Sequence, residues 1–165
     1  MVSKAYNGFS AQYRDKQGGQ VYKAFKKGDL KRPDTCTMCK LTEAQATIHA
    51  HNEDYHEPLT FVGLCYFCHM AVHKRFESTP RWYRWRDLIC TGWQPPRNRD
   101  YRVFADVWQS ILKQPQPELK KEDYINWSWT LPDHEPDLFT GREPLDNGLF
   151  QISNDTVTKS ENNPT

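Results

Sequence analysis

The sequence predicts a small α+β domain: a zinc-stabilised finger followed by a helical, Trp-rich C-terminal extension and a partly disordered tail. Three observations predict it. Two CxxC pairs, Cys36/Cys39 and Cys65/Cys68, stand at either end of residues 40–64. His69 and His73 follow the second pair at once. Only 37% of the residues are hydrophobic and the mean hydropathy is −0.88. A thin aliphatic core of this kind needs help from metal and from aromatics, which make up 13% of the chain and include six Trp.

Around residues 20–28 lysines alternate with apolar side chains, as on a helix with one solvated face. In each CxxC the intervening turn aims both thiolates at one point, and four such sulfurs complete the tetrahedral set that Zn²⁺ prefers. Residues 46–51 read as a strand, with Ile48 and Ala50 on one face and Thr47, His49 and His51 on the other. The second CxxC runs into a helix on which His69 and His73, four apart, share a face. A strand histidine set against such a pair is a way to hold a divalent ion with open positions. Phosphodiester hydrolysis needs that site, because the ion stabilises developing negative charge and the leaving oxygen. The same histidines would also suit the cysteine-bound zinc, or the surface.

The run from Val21 to Cys39, then Ile48-His49-Ala50-His51-Asn52-Glu53-Asp54-Tyr55, then Leu64-Cys65-Tyr66-Phe67-Cys68-His69 through His73, resembles the phage-type HNH endonucleases. The resemblance covers about residues 20–76. It implies a ββα-metal finger clamped by a zinc ribbon, encoded by a phage or prophage. Cys36, Cys39, Cys65 and Cys68 would be the zinc ligands. His51, His69 and His73 would hold a catalytic Mg²⁺, Mn²⁺ or similar divalent ion. Two positions depart from the family. Asn52 stands where a histidine usually serves as general base, and an amide cannot accept a proton at neutral pH. Thr60 stands where the middle asparagine of the pattern often lies. His49, on the strand face of His51, is the substitute base, and His56 a weaker one. The candidate catalytic residues are thus His49, His51 and position 52.

Charge is distributed unevenly along a chain whose formal net charge is +1. Residues 1–32 carry eight Lys or Arg against Asp15 and Asp29, and residues 74–102 eight against Glu77, Asp87 and Asp100. Basic segments on both sides of the metal motif suit a nucleic-acid backbone. Lys26, Lys27, Arg75, Arg81, Arg84 and Arg86 are the candidate contacts. In residues 81–86 arginines alternate with Trp82, Tyr83 and Trp85, a pattern suited to phosphate contact plus stacking, or to an amphipathic element whose tryptophans pack inward.

Composition divides the chain into residues 1–76, 77–130 and 131–165. Thr91 to Pro96 is a break rich in turn formers. Residues 101–113 read as a helix with Val103, Phe104, Val107, Trp108, Ile111 and Leu112 at core spacing, stopped by Pro115 and Pro117. Residues 118–130 suggest a further short element. From Leu131 seven acidic residues face only Arg142 and Lys159, and the last residues read as disordered. Zinc-type cysteine spacing without a signal peptide points to a reducing cytoplasm, the host's for a phage protein, and no stretch is apolar enough for a membrane. Two functions follow as expectations. One is a metal-dependent HNH DNA endonuclease. The other is a non-catalytic zinc module of the same origin that binds DNA, or a host or phage protein through the C-terminal extension.

Overall fold

In the computed structural model, which describes residues 6, 7 and 9–125, the first helix is delimited by its own caps. The side chain of Ser10 accepts the Tyr13 N–H at 3.2 Å at the start of α1 (Ala11–Lys27). Gly28 ends it at φ 82°, a left-handed conformation open to glycine. Only Gln17 and Val21 are buried along α1. Its other side chains lie wholly or partly in solvent.

The chain then turns through the first CxxC. Lys40 takes φ 62° so that its N–H can reach the Cys36 carbonyl at 3.0 Å, while the Cys36 N–H reaches Leu41 at 2.7 Å. Strands β1 (Ile48–His51) and β2 (Val62–Cys65) pair antiparallel, with Ile48 opposite Cys65 and His51 opposite Val62. Gly63 makes the docking of these two parts possible. A Cβ there would lie 2.5 Å from the Thr35 carbonyl and 2.7 Å from Pro33 Cβ. With hydrogen in that place, the first CxxC turn lies against β2 and Thr37 donates to the Gly63 carbonyl at 2.7 Å. All four cysteines are thereby brought together.

Helix α2 (Tyr66–Lys74) follows β2 with no intervening residue. Next come α3 (Thr79–Cys90) and α4 (Tyr101–Ser110), whose last turn tightens into a 3₁₀ turn over Ile111–Lys113. That is the helix expected over residues 101–113. Within residues 118–125 the only regular element is a 3₁₀ turn, Lys121–Asp123. Trp127, Trp129 and the acidic tail lie outside the described residues.

Among the described residues the architecture is thus small α+β, with four α-helices and a two-stranded antiparallel sheet. One core joins the cysteines, Met38, Leu41, Leu64, Phe67, Ala71 and Val72 to Trp82, Trp85 and Ile89 of α3 and to Phe104, Trp108 and Ile111 beyond. It runs without a break across the boundary drawn by composition at residue 76. Trp85 meets Trp93 edge-on at 5.2 Å and lies 6.1 Å from Trp108. A second, smaller cluster joins Tyr6 and Phe9 to Tyr55. No helix among the described residues is long and apolar enough to cross a membrane.

Candidate metal centres

The four sulfurs of Cys36, Cys39, Cys65 and Cys68 lie within 4.8 Å of one another, all buried, and could hold a metal ion such as zinc. Their electrostatics agree with that use. Hydrogen bonds from Cys39, then Cys65 and Cys68, push the Cys36 thiol far down. The thiolate that results pushes Cys65 up, and burial with the same neighbours pushes Cys68 up. The cluster favours one anion and resists ionisation of Cys65 and Cys68, so four thiolates together require a cation. Cys90 lies apart, half-buried on α3.

The second centre is built from β1 and α2. His49 and His51 do share a strand face, since both rings lie against His69, with centroids at 5.5 and 5.0 Å. On α2 the one-turn spacing brings His73 Nε2 to 3.0 Å from His69 Nε2. One ring nitrogen each from His51, His69 and His73 falls within 4.8 Å of the others. Burial holds His69 well below the ordinary imidazole range and, with His51 next to it, holds His73 down to about 3. Two of the three candidate ligand rings are therefore neutral at pH 7, the state in which imidazole coordinates. No carboxylate belongs to the set.

A buried ionic knot stands behind His51. Glu53 accepts from Arg75 Nη2 at 2.6 Å and from Tyr6 Oη at 2.8 Å, and its Oε1 lies 2.6 Å from His51 Nε2. Asn7 Nδ2 donates to the Glu53 carbonyl at 2.8 Å, and Arg75 Nη1 also donates to Tyr6 Oη and, at 2.9 Å, to the Val72 carbonyl. Burial alone would raise the Glu53 carboxyl, but Arg75 and His51 outweigh it and bring it to about 2. Glu53 did not figure among the sequence candidates. A signal existed, because the period-two alternation that links positions 49 and 51 continues to 53. Nothing in the sequence pointed to Tyr6 and Asn7, more than 40 residues away.

Several site expectations need correction. Asn52 is buried, and its amide donates to the carbonyls of Pro58 at 2.8 Å and Thr60 at 2.7 Å. It clasps the loop between the strands and has no donor left over for chemistry. Arg75, expected at a nucleic-acid surface, is 1% exposed and bound to Glu53. Arg86 is likewise buried, with its guanidinium over Tyr83. Arg81 bonds Ser78 and Gln109, and Arg84 bonds the Gln114 carbonyl and Gln116, so both fasten α3 to the chain around and beyond α4. Trp82 and Trp85 are fully buried and have no face to offer a base. The inward-packing reading of residues 81–86 is the one observed. His56 packs against Phe9 and Tyr13.

The lysine candidates on α1 stay accessible. Lys26 and Lys27 are exposed at the end of α1, with Lys16 and Lys23 exposed along it. Arg14, on its first turns, is close enough to depress His69 and His73. His49 Nε2 is buried with no hydrogen-bond partner among the described residues. Burial, then Arg99, lowers its proton affinity. Compared with models of protein families, with curated proteins and with solved structures, the chain matches none.

Proposed function

We propose that this chain is a metal-dependent phosphodiester hydrolase of the HNH type acting on DNA. The cluster of His51, His69 and His73, carried on a strand–strand–helix unit beside four buried cysteines, is the observation that supports it most. In this reading the cysteines hold a structural Zn²⁺ and the histidines hold the catalytic ion. A purely structural module would need only the cysteines. Three nitrogens without a carboxylate suit Zn²⁺, Ni²⁺ or Co²⁺ better than Mg²⁺, which prefers oxygen. Bound there, the ion would supply Lewis-acid stabilisation of the phosphate and the leaving oxygen.

The chain's own residues would do the rest. His49, uncharged and with an uncommitted Nε2 beside His69, is the group available to take a proton from water. Arg14, near His69 and His73, and Arg99, near His49, would bring positive charge to a bound phosphodiester. DNA would run along α1, whose 17 residues span about 25 Å and expose Lys16, Lys23, Lys26 and Lys27.

A non-catalytic zinc module remains the second reading, favoured by one observation: the usual base position is Asn52, whose amide nitrogen is committed to the loop. Incubating the chain with supercoiled plasmid and Mn²⁺, Ni²⁺ or Mg²⁺, beside an EDTA control, separates the two. The hydrolase reading expects cleavage in the parent that is lost in His49→Ala and His73→Ala. No cleavage with any ion would leave the module.

A further inference from the structure

We propose that Glu53 is a positioning residue: it fixes His51 in the tautomer that presents Nδ1 to the metal, and Tyr6 and Asn7 complete its hold. The inference rests on the histidine cluster being a metal centre. It assigns what sets the geometry of that centre.

Glu53 is ion-paired with Arg75 at 2.6 Å, and its Oε1 lies 2.6 Å from His51 Nε2. So short a contact between a carboxylate and an imidazole nitrogen requires a proton on the nitrogen. Once Nε2 carries that proton, coordination falls to Nδ1. The ring cannot turn to exchange the two without breaking a buried, charge-assisted bond. His69 and His73, whose Nε2 atoms face each other at 3.0 Å, would enter the site through the opposite type of nitrogen.

Glu53 is poorly placed to be a ligand itself. Oε1 faces His51, Tyr6 Oη and Arg75 Nη1, and Oε2 faces Arg75 Nη2 and, at 3.4 Å, Asn7 Nδ2. Its lone pairs are taken up by these donors. Arg75 balances its charge, so the carboxylate orients the imidazole without adding net charge to the site. Such a partner on a ligand's far nitrogen raises the ligand's basicity, and losing one typically weakens metal binding 10–100-fold.

Tyr6 connects this hold to the N-terminal segment. Its hydroxyl donates to Glu53 while its ring lies 4.2 Å from that of His73 and 5.9 Å from that of His51. The segment before α1 therefore both walls the centre and steadies the carboxylate behind it.

The test uses the full chain with ¹⁵N-labelled histidine, loaded with Zn²⁺. Long-range ring spectra should show His51 coordinated through Nδ1 with a proton on Nε2. Competition against a chelating dye should give Glu53→Gln a 10–100-fold weaker histidine site, with the cysteine site unchanged in stoichiometry. Tyr6→Phe, which removes one supporting donor, should lose roughly 2- to 10-fold. Coordination through Nε2 of His51 in the parent would overturn the proposal, whatever the variants do. So would a folded Glu53→Gln with parental affinity. Should Glu53→Gln fail to fold, the parent spectrum and Tyr6→Phe decide. A parent that binds Zn²⁺ only at its cysteines gives a different result, because it removes the metal centre altogether.

Discussion

Two buried polar side chains, Arg75 and Asn52, carry weight in this chain because each is committed to named partners in a small core. Arg75 is the clearest case. Removing its guanidinium strands the Glu53 carboxylate in a dry site, and breaking a buried pair in this way costs about 3–5 kcal/mol. Arg75→Ala should therefore lower the denaturation midpoint sharply, and that loss, measured in urea, should be as large in high salt as in low. A nucleic-acid contact at the surface would show no such stability cost. Asn52 makes a second test. Its two donors hold Pro58 and Thr60, so Asn52→Ala leaves those carbonyls unpaired at about 1–3 kcal/mol for each one that water cannot reach. Asn52→His supplies at most one donor toward the loop. It should fold less stably and gain no cleavage, a result read from melting curves and the plasmid assay together. A large gain in cleavage at parental stability would show that position 52 still serves the chemistry.

At the scale of elements, the division of labour between helices is what the sequence conceals. Helix α3 carries more arginines than α1, yet Arg81 and Arg84 are tied by hydrogen bonds to the neighbouring chain, Arg86 is buried, and Trp82 and Trp85 line the core. Alternation of Arg with aromatics fits both a nucleic-acid surface and an amphipathic helix, and only the position of α4 decides between them. The strand, by contrast, was legible: alternation placed His49 and His51 on one face, and one-turn spacing set His69 beside His73. The cysteine cluster was legible too, because CxxC spacing encodes its own geometry. Long-range partners were not, since no local pattern joins Tyr6 to Glu53 or Gly63 to Thr35. Helix α1 gives the matching prediction. If DNA lies along it, Lys23→Gln, Lys26→Gln and Lys27→Gln should each reduce the slope of log affinity against log salt by about 1. Arg81→Ala and Arg84→Ala should leave that slope unaltered while lowering the melting temperature. The opposite assignment, slope changes on α3 and none on α1, would move the interface back to the arginine run.

The whole molecule couples folding to the protonation of its metal-binding side chains, and the sign of that coupling can be worked out. The cysteine cluster lies inside the one core that joins the hairpin to α3 and α4, so cation loss there should unfold the described domain rather than one end of it. The histidines add a dependence on pH. Burial holds His73 down to about 3 against an ordinary 6.5. Between those values the unfolded chain binds a proton that the folded chain refuses, so stability is full above about pH 6.5 and declines as pH falls toward 3. His69, shifted the same way, adds to the decline. Glu53 contributes in a lower window, since its carboxyl is held at about 2 against an ordinary 4.5. Its stabilisation is complete above about pH 4.5 and fades as pH falls toward 2. A bound ion would steepen the first window, because protons compete with it for the same nitrogens. The expected outcome is a melting temperature that drops continuously from pH 7 to pH 4, more steeply with Zn²⁺ or Ni²⁺ in excess than with the histidine site empty. His73→Gln should flatten the upper part of that profile and abolish the difference made by the added ion. A chain whose stability rose on acidification through pH 6 would show these imidazoles to be charged in the folded state, and so poorly suited to hold a cation.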